Sequence, residues 1–212
     1  LKKELKKIKP EKKVVSIHNK DSGKIDLKRL YKAGFNNSSF FKKSFEVPKD
    51  HPEFSIWLDT SGSMIWHEKI YYALSSCILL CETLEELGIT YSFGTFAKEP
   101  VLRKRWKDKW RKIHIEDIYT KFGGGTQDYK ALQLAERSWS GKHRKKVILV
   151  ITDGASESKT QLQKTLHQIK NKVIAIGINL QHEQLRLYPN KILTKINNLP
   201  QCLSSILKKE LL

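Results

Sequence analysis

Short, almost wholly apolar runs alternate with longer segments whose apolar residues recur every three or four positions, from residue 53 to the end of the chain. The run Phe54-Ser55-Ile56-Trp57-Leu58 ends in Asp59 and reads as a buried strand. Over 66–87, Ile70, Leu74, Cys77, Ile78, Cys81 and Leu84 share one face at helical spacing, and Gly88 stops the helix. The same reasoning predicts strands over 91–96, 101–106, 146–152, 173–178 and 192–196. It predicts further helices over about 128–139, 160–170 and 199–211.

Strands that are apolar on both faces and separated by helices belong to a parallel sheet covered on both sides. Only the junction between 91–96 and 101–106 is short enough for an antiparallel hairpin. The expected fold class is therefore α/β: a doubly wound, mostly parallel open sheet with one antiparallel edge strand, spanning residues 51–212. Residues 1–50 read as a basic N-terminal extension or linker, partly extended. Its first thirteen residues hold seven lysines and two glutamates; the spacing of Leu1, Leu5 and Ile8 allows a short helix before Pro10, but a solvated linker end is the favoured reading. Turn chemistry follows at 21–23 and 36–39, a short helix is expected around 26–33, and an extended piece over 41–47.

Composition narrows the class further. With 212 residues and 39% hydrophobic content the chain can bury one core, which excludes full-length disorder. Forty Lys and Arg against 22 Asp and Glu leave a net charge of +18, which favours nucleic acid, an acidic protein or an anionic surface as neighbour. Three cysteines make no disulfide framework, so a reducing, cytoplasmic compartment is expected. No run reaches the ~18 apolar residues of a membrane span, and no apolar block follows the Lys-rich start as a secretory signal requires. The only methionine is Met64, so the chain reads as a piece of a longer protein or as a processed or trimmed one.

In doubly wound sheets ligands gather at the carboxyl ends of the strands. Three loops fall there: Asp59-Thr60-Ser61-Gly62-Ser63, Gly123-Gly124-Gly125-Thr126 and Thr152-Asp153-Gly154. Two carboxylates with several hydroxyls are hard oxygen donors, suited to Mg2+ or Mn2+ and not to zinc or copper. They do not saturate an octahedral ion, which leaves a coordination position for an anionic oxygen from outside, such as a partner's Asp or Glu.

Asp59-x-Ser61-x-Ser63, Thr126 and Asp153, in that order, resemble the metal-ion-dependent adhesion site of the von Willebrand factor type A domain. The resemblance covers about residues 53–212. It implies that these five residues coordinate the ion directly or through water, on the doubly wound fold read above. Ser22-Gly23-Lys24-Ile25-Asp26-Leu27 and Phe40-Phe41-Lys42-Lys43 are similar to the lead-in of this domain in cobaltochelatase CobT-type and nitric-oxide-reductase-accessory proteins. That resemblance implies a prokaryotic intracellular protein working beside an AAA+ ATPase ring of the MoxR or chelatase kind, or with that ring's client, as a non-catalytic subunit. Many bacterial members carry Asp directly after the loop-two Thr, whereas here Gln127 precedes Asp128. Asp128 is therefore read as capping the helix, contacting a metal-bound water or doing neither, and Asp128 and Thr152 are both placed outside the direct ligand set, behind it.

Other chemistries fit less well. No Gly-Lys-Ser/Thr ending follows the triple glycine, which excludes a P-loop. An Asp-nucleophile phosphotransferase wants a second acid where Ser61 stands. His67 reads as a solvated first-turn residue, and Cys77 and Cys81 as core. The alternative from another class is nucleic-acid binding through 103–112, which has seven basic residues, one acid and two tryptophans. Its contacts would be Arg103, Arg105, Trp106, Lys109, Trp110 and Arg111; the competing reading is a solvated edge whose tryptophans pack on the core.

Overall fold

The computed structural model describes residues 12–20, 24–25, 41–48, 51–110, 118, 123–139, 145–180 and 182–211. Lys12–Lys20 (β1), Lys24–Ile25 (β2) and Phe41–Pro48 (β3) make a three-stranded antiparallel sheet in the order β1-β3-β2. The extended piece read at 41–47 is thus a strand, while the helix-compatible stretches near 1–10 and 26–33 lie outside the described residues.

The main sheet has six strands: Glu53–Asp59 (β4), Tyr91–Phe96 (β5), Pro100–Lys104 (β6), Lys146–Thr152 (β7), Lys172–Ile178 (β8) and Asn190–Thr194 (β9). Their order is β6-β5-β4-β7-β8-β9. Every neighbouring pair is parallel except β5 with β6, so the expected doubly wound sheet with one antiparallel edge is what forms. Helices Gly62–Ile65 (α1), Lys69–Leu87 (α2), Asp128–Arg137 (α3), Lys159–Gln168 (α4) and Leu199–Leu211 (α5) connect and cover it.

Pleating sorts the core into two layers. Phe54, Ile56 and Leu58 point to one face, where they meet Leu74, Cys77 and Cys81 of α2 and Leu203 of α5. Trp57, Ile148 and Val150 point to the other, against Ala131 and Leu132 of α3 and Leu162 of α4. The chain leaves β4 for β5 on one side and later returns to β7 on the other. The carboxyl ends of β4 and β7 therefore flank the point where the winding reverses, and a crevice belongs there.

Several boundaries differ from the pattern reading by two or three residues, and three of them have a visible local cause. The helix read from residue 66 starts at Lys69, because α1 and a 3-10 turn over Trp66–Glu68 precede it and Glu68 adopts φ 56. The edge strand stops at Lys104, whose Nζ turns inward to donate to Tyr91 O at 2.9 Å and sits 3.9 Å from the Tyr91 ring centroid. The last strand ends at Thr194, since Ile196–Asn198 coil into a 3-10 turn.

Trp57 pairs across the sheet with Gly94. A Cβ built on Gly94 would stand 2.4 Å from Trp57 Cζ3, so the indole lies on bare backbone. Gly94→Ala is expected to destabilise the fold by about 1–3 kcal/mol through overpacking, read as a lowered urea midpoint with an unchanged slope. A midpoint equal to wild type would contradict this packing.

Candidate metal centre

Parallel register sets Leu58 beside Ile151, so Asp59 falls next to Thr152 and Asp153. Thr152 Oγ1 donates to Asp59 Oδ2 at 2.5 Å and the Ser61 amide donates to Asp59 Oδ1 at 2.8 Å. The second bond closes an Asx-type turn that carries the chain off the sheet. The Thr60 amide, bonded to Phe96 O at 2.7 Å, ties that turn to the end of β5.

The glycine loop arrives through main-chain bonds. The Gly123 amide donates to Thr60 O at 3.0 Å and the Gly62 amide to Gly124 O at 3.4 Å. Gly123 and Gly124 have φ of 114 and 91, a region in which a side chain is strained. This route brings Thr126 to the crevice: from where a Cβ on Gly154 would sit, Thr126 Oγ1 lies at 3.5 Å and Ser63 Oγ at 3.8 Å. Ser63 Oγ also donates to Asp153 Oδ1 at 2.6 Å and lies 3.2 Å from Ser61 Oγ. Asp59, Ser61, Ser63, Thr126 and Asp153 thus come together from three loops, with Thr152 behind Asp59.

Asp128 has other work. Ser156 Oγ and the Tyr129 amide donate to its Oδ1 at 2.5 and 2.9 Å, and Tyr188 Oη donates to its Oδ2 at 2.6 Å. It fastens the start of α3 to the loop before α4 and the turn before β9, and burial pushes its pKa up. Sequence reasoning missed Lys69, whose Nζ forms an ion pair with Asp153 Oδ2. A lysine in the first turn of a helix that holds no acid there was the available signal.

The electrostatics suit a cation. Asp59 is fully buried, and burial pushes its pKa up to about 6, with Asp153 adding to the shift and the hydrogen bonds opposing it. Both its oxygens accept from neutral donors, which leaves the ionised form under-compensated. Among the described residues no three His, Cys, Asp or Glu side chains converge, so hydroxyls complete the donor set. Hard oxygens of this type suit a divalent cation, and Asp59, Asp153, Ser61, Ser63 and Thr126 are the residues that could hold it.

The basic segment is arranged differently. Trp110 is 8% exposed and packs edge-on against Phe93 at 5.7 Å, and Trp106 lies against Trp139 at 4.8 Å. Arg103 Nε donates to Thr95 Oγ1 at 3.1 Å. Arg105 and Lys109 are exposed, and Arg111 lies outside the described residues. The indoles serve packing, and among the described residues Arg105, Lys107 and Lys109 are the solvent-exposed cations of this segment.

Burial raises Asp59 above its unfolded value of 3.8, so the folded chain holds this proton longer than the unfolded one. The cost is absent below pH ~4, grows as pH rises, and is fully present above pH ~6, where a shift of about two units corresponds to ~3 kcal/mol. Asp59→Asn, measured in chelator, is expected to be more stable than wild type at pH 7.5 by about 2–3 kcal/mol, with the difference vanishing near pH 4. Equal urea midpoints at both pH values would contradict the buried charge.

No protein-family model and no curated sequence matches the chain. Solved structures do match. A von Willebrand factor type A protein from Catenulispora acidiphila superposes with a TM-score of 0.62 at 15% identity, over 80% of this chain and 45% of that one. BatB from Bacteroides thetaiotaomicron gives 0.60 at 15% identity, over 74% of this chain and 96% of that one. Proximal thread matrix protein 1 from the mussel byssus, in a structure with a zinc-occupied MIDAS motif, gives 0.56 at 16% identity, over 75% and 45%. The chain spans about half the length of the mussel and Catenulispora proteins. Its six-stranded mixed sheet with helices on both faces is the fold of the von Willebrand factor type A domain.

Proposed function

We propose that the chain is a non-catalytic interaction module in which Asp59, Ser61, Ser63, Thr126 and Asp153 hold Mg2+ or Mn2+ and offer it to a carboxylate of a protein partner. The observation that carries this reading is the convergence of two buried carboxylates, from separate strands, with hydroxyls from three loops. Bound there, the ion supplies a Lewis-acidic position that takes an anionic oxygen from outside. The chain's own part is to keep the donors fixed: Thr152 and the Ser61 amide hold Asp59, and Ser63 links Ser61 to Asp153. Ser63 is exposed, as are Ile65 at 50% and Trp66 at 71%, so the rim is open to a docking surface. Zinc in the MIDAS motif of the mussel protein supports a metal at this place in the fold; the all-oxygen donor set here favours Mg2+ or Mn2+.

An excess of 18 positive charges favours an acidic partner and speeds encounter with it. The similarity of 22–27 and 40–43 to the lead-in of CobT-type proteins supports an AAA+ ring of the MoxR or chelatase kind, or its client, as that partner. Three unpaired cysteines support a cytoplasmic setting. No helix among the described residues is long and apolar enough to cross a membrane. Nucleic-acid binding would rest on the exposed Arg105, Lys107 and Lys109, and would fall steeply with salt.

Calorimetric titration of the chain with MgCl2 is expected to show one site that Asp59→Ala removes while the circular dichroism spectrum stays as in wild type. Capture of the partner should need Mg2+ and survive moderate salt. Mg2+-dependent capture by Asp59→Ala would contradict the assignment.

A further inference from the structure

The chain breaks two local rules at one point beside Asp153. Glu68 adopts φ 56 and ψ 17, a left-handed conformation that residues with a Cβ avoid. Lys69 then opens α2, whose first turn has no acid and whose positive dipole end disfavours a cation. Local preference explains neither, and both are answered at the crevice. The kink sets Lys69 where its Nζ reaches Asp153 Oδ2, in a sheltered pair whose side chains are 16% and 1% exposed. The other Asp153 oxygen accepts from the neutral Ser63 hydroxyl at 2.6 Å. An ammonium and a coordinated ion are both cations seeking the same carboxylate oxygen, so they compete.

We propose that Lys69 is a tethered counter-cation of the metal site: a divalent ion binds by exchange against its ammonium, which sets the affinity and screens out monovalent ions. The inference rests on the metal-site reading above. With Lys69 paired, the two carboxylates present a net charge of −1 and not −2, which weakens their hold on any cation. A monovalent ion gains too little at that charge to displace an amine fixed a bond-length series away on the same chain, whereas a divalent ion gains twice as much per contact. The left-handed backbone of Glu68 is then the structural means by which the helix start, and Lys69 with it, is turned toward the ion.

The test is calorimetric titration of the whole chain with MnCl2, comparing wild type, Lys69→Met, Lys69→Gln and Lys69→Arg. Loss of a nearby positive charge is expected to tighten Mn2+ binding roughly tenfold or more in Lys69→Met and Lys69→Gln, while Lys69→Arg stays near wild type. In chelator the two neutral variants should melt below wild type, because Asp153 has lost its counter-charge, and Mn2+ should raise their melting temperature more than that of wild type. If the neutral variants fold only when Mn2+ is added, the same conclusion holds. Equal affinity in wild type and both neutral variants, or weaker binding in those variants, overturns the role of Lys69 and leaves the metal site standing. No Mn2+ uptake by any of the four proteins overturns the metal site, and this inference with it.

Discussion

Two carboxylates buried side by side where the winding of the sheet reverses are the constraint around which this chain is arranged. Charge of one sign is expensive to bury, and the fold concentrates it: Asp59 closes β4 with no exposed surface and Asp153 follows β7 at 7%. Parallel pairing of β4 with β7 makes the proximity unavoidable. Around it the chain spends its polar groups, with Thr152 and the Ser61 amide on one acid and Ser63 and Lys69 on the other. The glycine loop supplies Thr126 only because two residues with positive φ let it bond back to Thr60 and Gly62. Nothing in the hydrophobic core requires acids at these two positions. A cation held between them, as proposed, would offset the cost of burying them.

Much of this was legible in the residues. The runs 54–58 and 147–151 are apolar on both faces because helices cover both sides of the sheet, and such runs announce a parallel sheet without any tertiary information. The five donors could be placed at one edge because each follows a strand or precedes a helix at the carboxyl side. What stayed hidden depends on contacts distant in sequence. The break at Glu68 is invisible to periodicity, since Ile65 and Trp66 extend an apolar pattern that in the fold faces outward. Lys69 reads as an ordinary surface cation until Asp153, 84 residues away, is seen beside it.

Asp128 and the tryptophans teach the same lesson. An acid at a helix start reads as a cap, yet its carboxylate is bound by Ser156 and Tyr188, which only the folded chain brings near. Trp106 and Trp110 sit among cations in a pattern that suits nucleic acid, and the fold packs them against Trp139 and Phe93. Local pattern finds elements and edges; which side chains are already engaged is decided by the fold.

The most direct measurement is a crystal of the chain grown with MnCl2 and recorded at the manganese edge. One anomalous peak is expected between Asp59 and Asp153, within coordinating distance of Ser63 and Thr126 directly or through water, with the Lys69 ammonium moved off Asp153. Crystals that hold manganese only elsewhere, or none at all with the Lys69–Asp153 pair intact, would contradict it.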